Sequence, residues 1–425
     1  MKSTDNQDRY NQPKTWTAWQ SVLAFGMVSL SVDMVYEGMR AMVGPYLGTL
    51  GASALTVGLV TGAGESIALM FRLVTGAWAD RHDNYWRMTV IGYLITVISV
   101  PMLAIAPFVG SAGLAVAICL ILIERTGKAI RGPAKSALLA RVAEPIGRGK
   151  GFGVHKALDQ VGSFSGPLLL AGLATLTGVL WVGFAFLAIQ GVLGLFVLAM
   201  LKRRAPILNE PQQPEATRTA EADSWKSFAK ATMGSDLPRT FHLFAVACAL
   251  AMAGLMTFGV ISYRFVQVGI VSINAVPLTY ALAMAMAALA ALWTGKYFDR
   301  VGGRILLVVP ILVAVAPFGV FANTLAVVLV GVVIWGGAYG VLDSTVKAFV
   351  ANLVPAPRQA TAFGVFAGIQ GLGALAGGGL AGALIENQTS ILIIVIAVVQ
   401  VFAFALLWRI TKPTQKLVVD WKGVE

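Results

Sequence analysis

The chain has 425 residues, of which 57% are hydrophobic and only 12% are charged. A water-soluble protein carries about twice this charged fraction, and the apolar residues here fall in long runs, which excludes a soluble globular domain. The formal net charge of +12 does not indicate nucleic-acid binding, because no basic soluble segment of domain size is present. Membrane proteins hold an excess of Lys and Arg in cytoplasmic connections, and this explains the charge.

Twelve apolar segments are each long enough to cross a bilayer, which takes about 18 residues. They predict an all-α integral membrane protein of twelve transmembrane helices. The segments are Trp19–Tyr46, Leu55–Ala77, Met88–Phe108, Ala112–Arg131, Phe152–Leu176, Leu180–Leu201, Leu243–Phe265, Val276–Tyr297, Ile305–Phe321, Leu325–Val350, Ala362–Ile385 and Ile391–Ile410.

A polar stretch divides these segments into two sets of six. We therefore predict an N-terminal six-helix bundle at 1–201, a cytoplasmic linker at 202–239, and a C-terminal six-helix bundle with a short tail at 240–425. Lys and Arg are confined to alternate connections, which predicts that both termini are cytoplasmic. Helical spans also favour a plasma membrane, such as a bacterial inner membrane, over an outer membrane.

The cysteines and histidines do not form a pattern typical of a site. Cys119 and Cys248 lie within apolar runs, and the three histidines are scattered. We therefore expect no disulfide framework, no metal and no cofactor. The polar first fifteen residues precede a full-length apolar segment, which argues against a cleaved signal peptide.

The end of the fourth segment, 121–135, carries ionisable residues on an apolar background. On a helix, four of them fall within about 60° of one another, and a fifth lies about 100° from the first. A Lys or Arg at the bilayer centre costs roughly 2.5–3.5 kcal/mol even on a lenient scale, so this stripe should line a wet cavity and attract an anion. The four residues are Glu124, Lys128, Arg131 and Lys135, and the fifth is Arg125.

The first segment offers a second charged face. Asp33, Glu37 and Arg40 are spaced four and three apart, so a helix places them together, with Tyr36 beside them. Glu65 lies midway along the second segment. Intramembrane ionisable groups are rare and usually line transport pathways, although any single one could be a structural ion pair.

We interpret these charged residues in two groups. The carboxylates predicted to carry protons are Asp33, Glu37 and Glu65. The residues predicted to bind substrate are Tyr36, Arg40, Glu124, Arg125, Lys128, Arg131, Arg264 and Asp343. For Arg264, near the end of its segment, an interfacial snorkelling role is the simpler alternative.

The two halves share an internal sequence repeat. Three residues recur 219 positions later, and six others recur 211 positions later, each pair on equivalent segments. Parallel repeats of six spans are a known transporter construction. The first set is Gly76, Asp80 and Arg81 against Gly295, Asp299 and Arg300; the second is Ala137, Ala140, Phe152, Gly153, Gly162 and Gly166 against Ala348, Ala351, Phe363, Gly364, Gly373 and Gly377.

The loop GKYFDRVGGR at Gly295–Arg304 resembles the signature loop of the major facilitator superfamily, and the resemblance covers essentially the whole chain. The copy at Gly76–Arg87 is weaker, since Asp83 and Asn84 stand where Gly and a basic residue are usual. The segment Gly153–Pro167 is similar to the fifth-span motif of the family's antiporters, without the Gly-Gly that usually follows. The nearest subgroup is the drug and small-solute exporters.

This resemblance implies gating roles for nine residues. In the loops, an Asp can accept hydrogen bonds from a facing helix N-terminus while the Arg holds a carboxylate, forming a cytoplasmic latch. In the fifth span, two Gly permit close helix packing and a Pro can bend the helix. The nine residues are Gly76, Asp80, Arg81, Gly162, Gly166, Pro167, Gly295, Asp299 and Arg300.

Together these observations predict a secondary transporter, not an enzyme, that exports a small anionic or zwitterionic solute in exchange for protons by alternating access. Its expected partners are that solute, protons and the lipid bilayer, with no nucleic acid, and a monomer is expected. The alternatives are a proton-coupled importer of an organic anion, a multidrug exporter of lipophilic cations, and a lipid-handling or signalling protein that transports no solute.

Overall fold

The computed structural model describes residues 15–82, 84–205, 237–354 and 359–411. Within these ranges the regular structure is entirely helical. The α-helices are α1 Ala18–Thr49, α2 Ala54–His82, α3 Tyr85–Met102, α4 Gly113–Ala143, α5 Arg148–Thr177, α6 Leu180–Arg204, α7 Arg239–Leu255, α8 Phe258–Gln267, α9 Val276–Val301, α10 Val308–Val320, α11 Leu325–Asp343, α12 Thr345–Leu353, α13 Gln359–Leu384 and α14 Thr389–Thr411.

Local sequence explains where several helices begin and end. Thr17 caps α1, since its hydroxyl accepts from the Gln20 amide while the Gln20 side chain accepts from the Thr17 amide. At the end of α5, Gly178 takes a φ of 73°, which a residue with a Cβ adopts only at a cost. These caps satisfy backbone groups that the helix itself leaves free.

The predicted all-helical membrane fold is confirmed. Ten of the described helical segments are long and apolar enough to cross a membrane. Helices α4 and α5 have 31 and 30 residues but fall outside these ten because they carry more charged and polar residues. The count of twelve spans therefore remains a prediction, as does the orientation of the termini. The predicted linker lies largely outside the described residues.

Two predicted spans are interrupted in the structure. The seventh divides into α7 and α8 at Met256, whose φ of 58° is the one positive value among the described non-glycine residues. The indole nitrogen of Trp335 donates to the carbonyl oxygen of Leu255 at 2.7 Å and so satisfies a backbone group freed by the break. The tenth span divides into α11 and α12 at Ser344. Discontinuous helices are typical of transporter binding sites.

The internal repeat predicted from the sequence is also a repeat of packing. In each half, two glycines of one helix lie so close to the first helix of that half that an added Cβ would overlap a carbonyl oxygen. The glycines are 211 positions apart between the halves, and their partners are 219 apart. The pairs are Gly162 with Leu30, Gly166 with Met34, Gly373 with Ala249, and Gly377 with Ala253.

The two halves meet on the predicted outer side. Helices α2 and α13 pack through glycines whose neighbours are backbone atoms of the opposite helix, namely Gly58, Gly62, Gly378 and Gly382. The amide nitrogen of Ala54 donates to the Glu386 carboxylate at 3.1 Å, and the hydroxyl of Tyr263 donates to the same oxygen. These contacts close the space between the halves on that side.

The surface of the helix bundle that would face lipid is apolar. Side chains such as Leu176, Leu292 and Val401 are 84%, 75% and 67% exposed. In water such extensive apolar exposure would cause association, whereas a bilayer solvates it. Charged residues in the middle of the spans, such as Glu37, Glu124 and Arg125, are at most 9% exposed, as the cost of a charge facing lipid requires.

Candidate functional site

Three helices of the N-terminal half bring together a set of charged groups that we name the central cluster. Glu65 of α2 is at its centre, because one of its oxygens lies 2.9 Å from Nη2 of Arg40 and 3.4 Å from Nη1 of Arg125. Glu37 lies 3.7 Å from Arg40 on the same helix. The cluster consists of Tyr36, Glu37, Arg40, Glu65, Arg125 and Lys128.

Tyr36 joins the cations of α4 to α1. Arg125 donates to its hydroxyl at 2.7 Å, and the Lys128 ammonium lies 3.6 Å from the centre of its ring. Among the described residues, no carboxylate lies within 4.0 Å of this ammonium. Lys128 therefore contributes a positive charge that the ring attracts but that no carboxylate neutralises directly.

The central cluster lies at the interface of the two halves. Arg40 donates to the hydroxyl of Tyr339 at 2.9 Å, and Tyr280 donates to the Glu37 carboxylate. Near this level, the hydroxyls of Thr61 and Thr257 lie 2.7 Å apart. Both tyrosines and Thr257 belong to the C-terminal half. Groups bound here would therefore touch both halves.

A small cavity, with room for about one water molecule, adjoins the central cluster on its predicted outer side. Its walls combine two guanidinium groups, one carboxylate and two hydroxyls with apolar side chains. The first turn of α8, which follows the break at Met256, forms one end of this cavity. The lining residues are Arg40, Val43, Thr61, Glu65, Ile121, Arg125, Thr257, Phe258 and Gly259.

The expectation that Glu124 and Arg131 face the cavity is wrong. Glu124 is 0% exposed and accepts from Thr96 of α3 at 3.2 Å. Arg131 is 4% exposed, donates to the same Thr96 hydroxyl and lies over the Tyr93 ring at 5.2 Å. Both side chains therefore point into the N-terminal bundle, where they form a structural network between α3 and α4.

Two further predicted substrate residues lie away from the cluster. Arg264 donates to the carbonyl oxygen of Ile385 at 3.2 Å and lies over the Phe321 ring, near the predicted outer end of its helix. Asp343 is exposed at the end of α11, one turn beyond Tyr339. The described contacts of Arg264 therefore lie outside the central cluster, whereas Asp343 lies near Tyr339, which bonds Arg40.

Asp33 belongs to a separate pair rather than to the central cluster. Its carboxyl group lies within hydrogen-bonding range of the Asp159 carboxyl group on α5. Lys156 lies 2.6 Å from Asp159, and Lys135 donates to Ser29 at 3.1 Å beside this pair. Two carboxyl groups this close share a proton more readily than they hold two negative charges. The pair is about 10 Å from Arg40 along α1, toward the predicted cytoplasmic side.

The predicted gating residues are described only in part. The structure does not describe the surroundings of Gly76 or the side chains of Asp80, Arg81 and Asp299. Gly295 makes no close helix contact among the described residues, since an added Cβ there would have no heavy atom within 4 Å. Arg300 is exposed at the end of α9. The close packing expected at Gly162 and Gly166 is present, and Pro167 lies inside the same helix.

The sequence reasoning missed several residues of the site. Tyr280, Thr61, Thr257 and Phe258 were not predicted, yet each contacts or lines the cluster or the cavity. For Tyr280 the sequence did offer a signal. It lies within a long apolar segment, where a buried hydroxyl needs a hydrogen-bond partner. In the part of the chain that the structure describes, no group of three or more His, Cys, Asp or Glu could hold a metal ion.

Fold and site together define a multi-pass membrane protein with a charged cavity between two related sets of helices, as in a secondary transporter. The family model described as "Major Facilitator Superfamily" matches residues 23–321 and 270–423. The chain belongs to the major facilitator superfamily, which confirms the resemblance seen in the sequence.

Relatives and solved structures agree with this assignment. The uncharacterized protein Rv2265 of Mycobacterium tuberculosis is 40% identical over 93% of this chain and 94% of its own length. The uncharacterized MFS-type transporter MJ1317 of Methanocaldococcus jannaschii is 24% identical over 86% of this chain and 88% of its own.

Two solved structures show a similar fold. The nucleoside transporter NupG has a TM-score of 0.71 at 16% identity and covers 92% of this chain and 99% of its own. A peptide transporter POT variant in complex with alafosfalin has a TM-score of 0.70 at 16% identity, covering 93% and 96%. At such low identity these structures show the fold alone.

Proposed function

We propose that this secondary transporter exports a small anionic or zwitterionic solute in exchange for protons. The observation that carries the proposal is the uncompensated ammonium of Lys128. Arg40, Arg125 and Lys128 supply three positive charges, whereas Glu37 and Glu65 supply two negative ones. When Lys128 is protonated, and with Glu124 balanced by Arg131, the central cluster has an excess of one positive charge. A single anionic group would neutralise it.

The position of the central cluster supports alternating access. It touches both halves, so a solute held there would be released when the halves separate on either side. The contacts among α2, α13 and Glu386 close the predicted outer side in this structure. The opposite state must break these contacts and form others on the predicted cytoplasmic side, where the signature loops lie.

Competition for the two arginines supplies a route for coupling. A substrate anion that approaches Arg40 or Arg125 competes with Glu65 for the same guanidinium groups. The displaced carboxylate loses its charge partner in a site of low polarity and takes up a proton. When the anion leaves, the ion pairs re-form and the proton is released. Glu37 and the Asp33–Asp159 pair remain the other candidate proton carriers.

Proteoliposomes with purified protein test the anion site. We expect Lys128→Met to weaken binding of the transported anion about 10- to 100-fold, because one charged contact is lost. Lys296→Met is the matched control, since Lys296 is exposed on α9 and far along its helix from the cavity. Unchanged anion affinity in Lys128→Met would contradict the proposal, and so would selective transport of cations. The direction of flux under an imposed pH gradient distinguishes export from import.

A further inference from the structure

Three hydrogen bonds join the two halves at the level of the central cluster, in the part of the chain that the structure describes. They connect Thr61 with Thr257, Arg40 with Tyr339, and Glu37 with Tyr280. Threonine hydroxyls do not ionise at physiological pH, and an arginine keeps its charge in proteins. The bond between Tyr280 and Glu37 is therefore the one of the three whose strength depends on a proton.

The bond between Tyr280 and Glu37 has a counterpart in the internal repeat. Tyr280 lies 219 positions after Thr61, the same shift that relates the two signature loops, so these residues hold equivalent positions on α9 and α2. Each bonds to the first span of the opposite half, Tyr280 at Glu37 and Thr61 at Thr257. The repeat thus provides two equivalent contacts between the halves, of which one contains an ionisable carboxyl group.

Both partners of this bond are shielded from water. Tyr280 is 0% exposed, and its ring packs edge-on against Phe258 with centroids 4.7 Å apart. Glu37 is 9% exposed. A buried hydroxyl that loses its acceptor is destabilising. Because Tyr280 lies in the second turn of α9, near its predicted outer end, opening on that side moves its hydroxyl away from Glu37.

Glu37 differs in this respect from Glu65. The described charge partners of Glu65 are Arg40 and Arg125, which both belong to the N-terminal half, so its protonation acts first within that half. Glu37 lies 3.7 Å from the same Arg40 but also bonds the C-terminal half directly. The charged and titratable groups that the structure describes around Glu37 are Tyr36 and Arg40 of α1, Glu65 of α2, Lys128 of α4, Tyr280 of α9 and Tyr339 of α11.

We propose that the Tyr280 hydroxyl is a positioning group that transmits the charge of Glu37 to the C-terminal half, an inference that rests on the proposed proton coupling. An ionised carboxylate accepts a charge-assisted hydrogen bond, which is about twice as strong as a neutral one. Ionised Glu37 therefore stabilises the arrangement that is closed on the predicted outer side, and proton uptake weakens it. Glu65 competes with the anion, whereas Glu37 sets the balance between the two states.

Spin labels on the two halves measure this balance. The labels are attached at Ser111→Cys and Asn323→Cys, two exposed positions in predicted outer connections, after Cys119 and Cys248 have been replaced. Distances between the labels in lipid nanodiscs give the fraction of molecules that is open on the outer side. We expect this fraction to rise about 5-fold between about pH 8 and about pH 5, because the bond loses its charge assistance.

Two substitutions should abolish this pH response. Tyr280→Phe removes the hydroxyl but keeps the ring, and Glu37→Gln fixes the carboxyl group in an uncharged form. Each should raise the outer-open fraction about 5-fold at about pH 8, and the double variant should add little, because both changes affect the same bond. Tyr93→Phe is the matched control, since the hydroxyl of this buried tyrosine makes no hydrogen bond in the described part of the chain.

A full pH response in Tyr280→Phe would overturn the inference. A response lost only in Glu386→Gln would overturn it as well and assign the response to the contact with Ala54 at the outer end. If Tyr280→Phe does not fold, Glu37→Gln decides, because a full pH response in that variant is equally contrary.

Anion flux driven by a pH gradient in wild-type proteoliposomes tests the proposed function separately. Such flux together with an outer-open fraction that does not change with pH would overturn the inference and leave the proposed function intact. Absence of any pH-driven anion flux would contradict the proposed function, and the inference with it.

Discussion

Glu65 is held between two guanidinium groups, and in the proposed mechanism its displacement links substrate binding to proton uptake. Its oxygen lies 2.9 Å from Arg40 and 3.4 Å from Arg125, so removing the carboxylate leaves Arg40 with Glu37 and Arg125 with Glu124 as their carboxylate partners. We expect Glu65→Gln to bind anions several-fold more tightly, roughly 3- to 10-fold, because the internal competitor is lost. The same variant should lose transport driven by a pH gradient.

Downhill exchange in the same vesicles is the control for Glu65→Gln, since exchange of one anion for another needs no proton. Retained exchange together with lost pH-driven flux would identify Glu65 as the coupling residue. Full pH-driven flux in Glu65→Gln would instead transfer that role to Glu37 or to the Asp33–Asp159 pair.

The contacts of Arg131 indicate a role in the stability of the fold rather than in substrate binding. Its loss leaves the fully buried Glu124 carboxylate with Thr96 and Arg125 as partners, and because Arg125 still compensates the charge, we expect a cost of about 1–3 kcal/mol. We expect Arg131→Met to lower the melting temperature of the purified protein clearly while preserving anion affinity. A variant of normal stability that fails to bind anions would contradict this assignment.

The misplacement of Glu124 and Arg131 shows what a helical pattern leaves open. The sequence correctly predicts the angles between side chains around α4, since these follow from helix geometry. It does not say which angle faces the cavity. In the structure, Arg125 and Lys128 of α4 point toward Tyr36, whereas Glu124 and Arg131 point toward α3. The face of α4 that lines the cavity is therefore not the one at the centre of the predicted stripe.

At the scale of the helices, glycine contacts set how closely α1 and α5 approach. A Cβ at Gly166 would overlap the carbonyl oxygen of Met34, whereas one at Gly172 on the same helix would have no heavy atom within 4 Å. We expect Gly166→Ala to destabilise the protein by about 1–3 kcal/mol, because backbone atoms cannot move aside locally. Gly172→Ala should be neutral or slightly stabilising, since Ala favours a helix. Thermal unfolding in one detergent compares the two variants.

Equal stabilities of Gly166→Ala and Gly172→Ala would show that α1 and α5 separate without cost. That result would favour sliding of these helices during transport over a fixed contact. The glycine spacing and the repeat were visible in the sequence, so this contact was predictable. The break at Met256 was not, because the flanking Gly254 and Gly259 resemble glycines inside unbroken helices of this chain, and its stabilising partner, Trp335, is distant in the sequence.

At the scale of the whole molecule, the contacts between the halves define one state of a cycle. The hydroxyls of Thr61 and Thr257 lie 2.7 Å apart across the interface. We expect the double variant Thr61→Cys/Thr257→Cys, made after replacing Cys119 and Cys248, to form a disulfide under mild oxidation and to stop transport. A reductant should restore it, because opening on this side requires the two helices to separate.

Each single-cysteine variant, treated with the same oxidant, is the control for this cross-link. Continued transport by the fully cross-linked protein would mean that Thr61 and Thr257 remain together throughout the cycle. The fold, the repeat and the family were predictable at this scale because long apolar segments and repeated motifs extend along the chain. The state of the transport cycle that the molecule adopts was not predictable from the sequence, because one sequence must be compatible with both states.

The uneven distribution of charge between the halves has a mechanical consequence. Every cation of the central cluster belongs to α1 or α4, and Phe258, Trp335 and Tyr339 of the C-terminal half offer an anionic group no ionic contact. In the proposed cycle, a bound solute would stay attached to the first bundle by its charged end in both open states. The second bundle would then tilt relative to that solute and open the site first to one side of the membrane and then to the other.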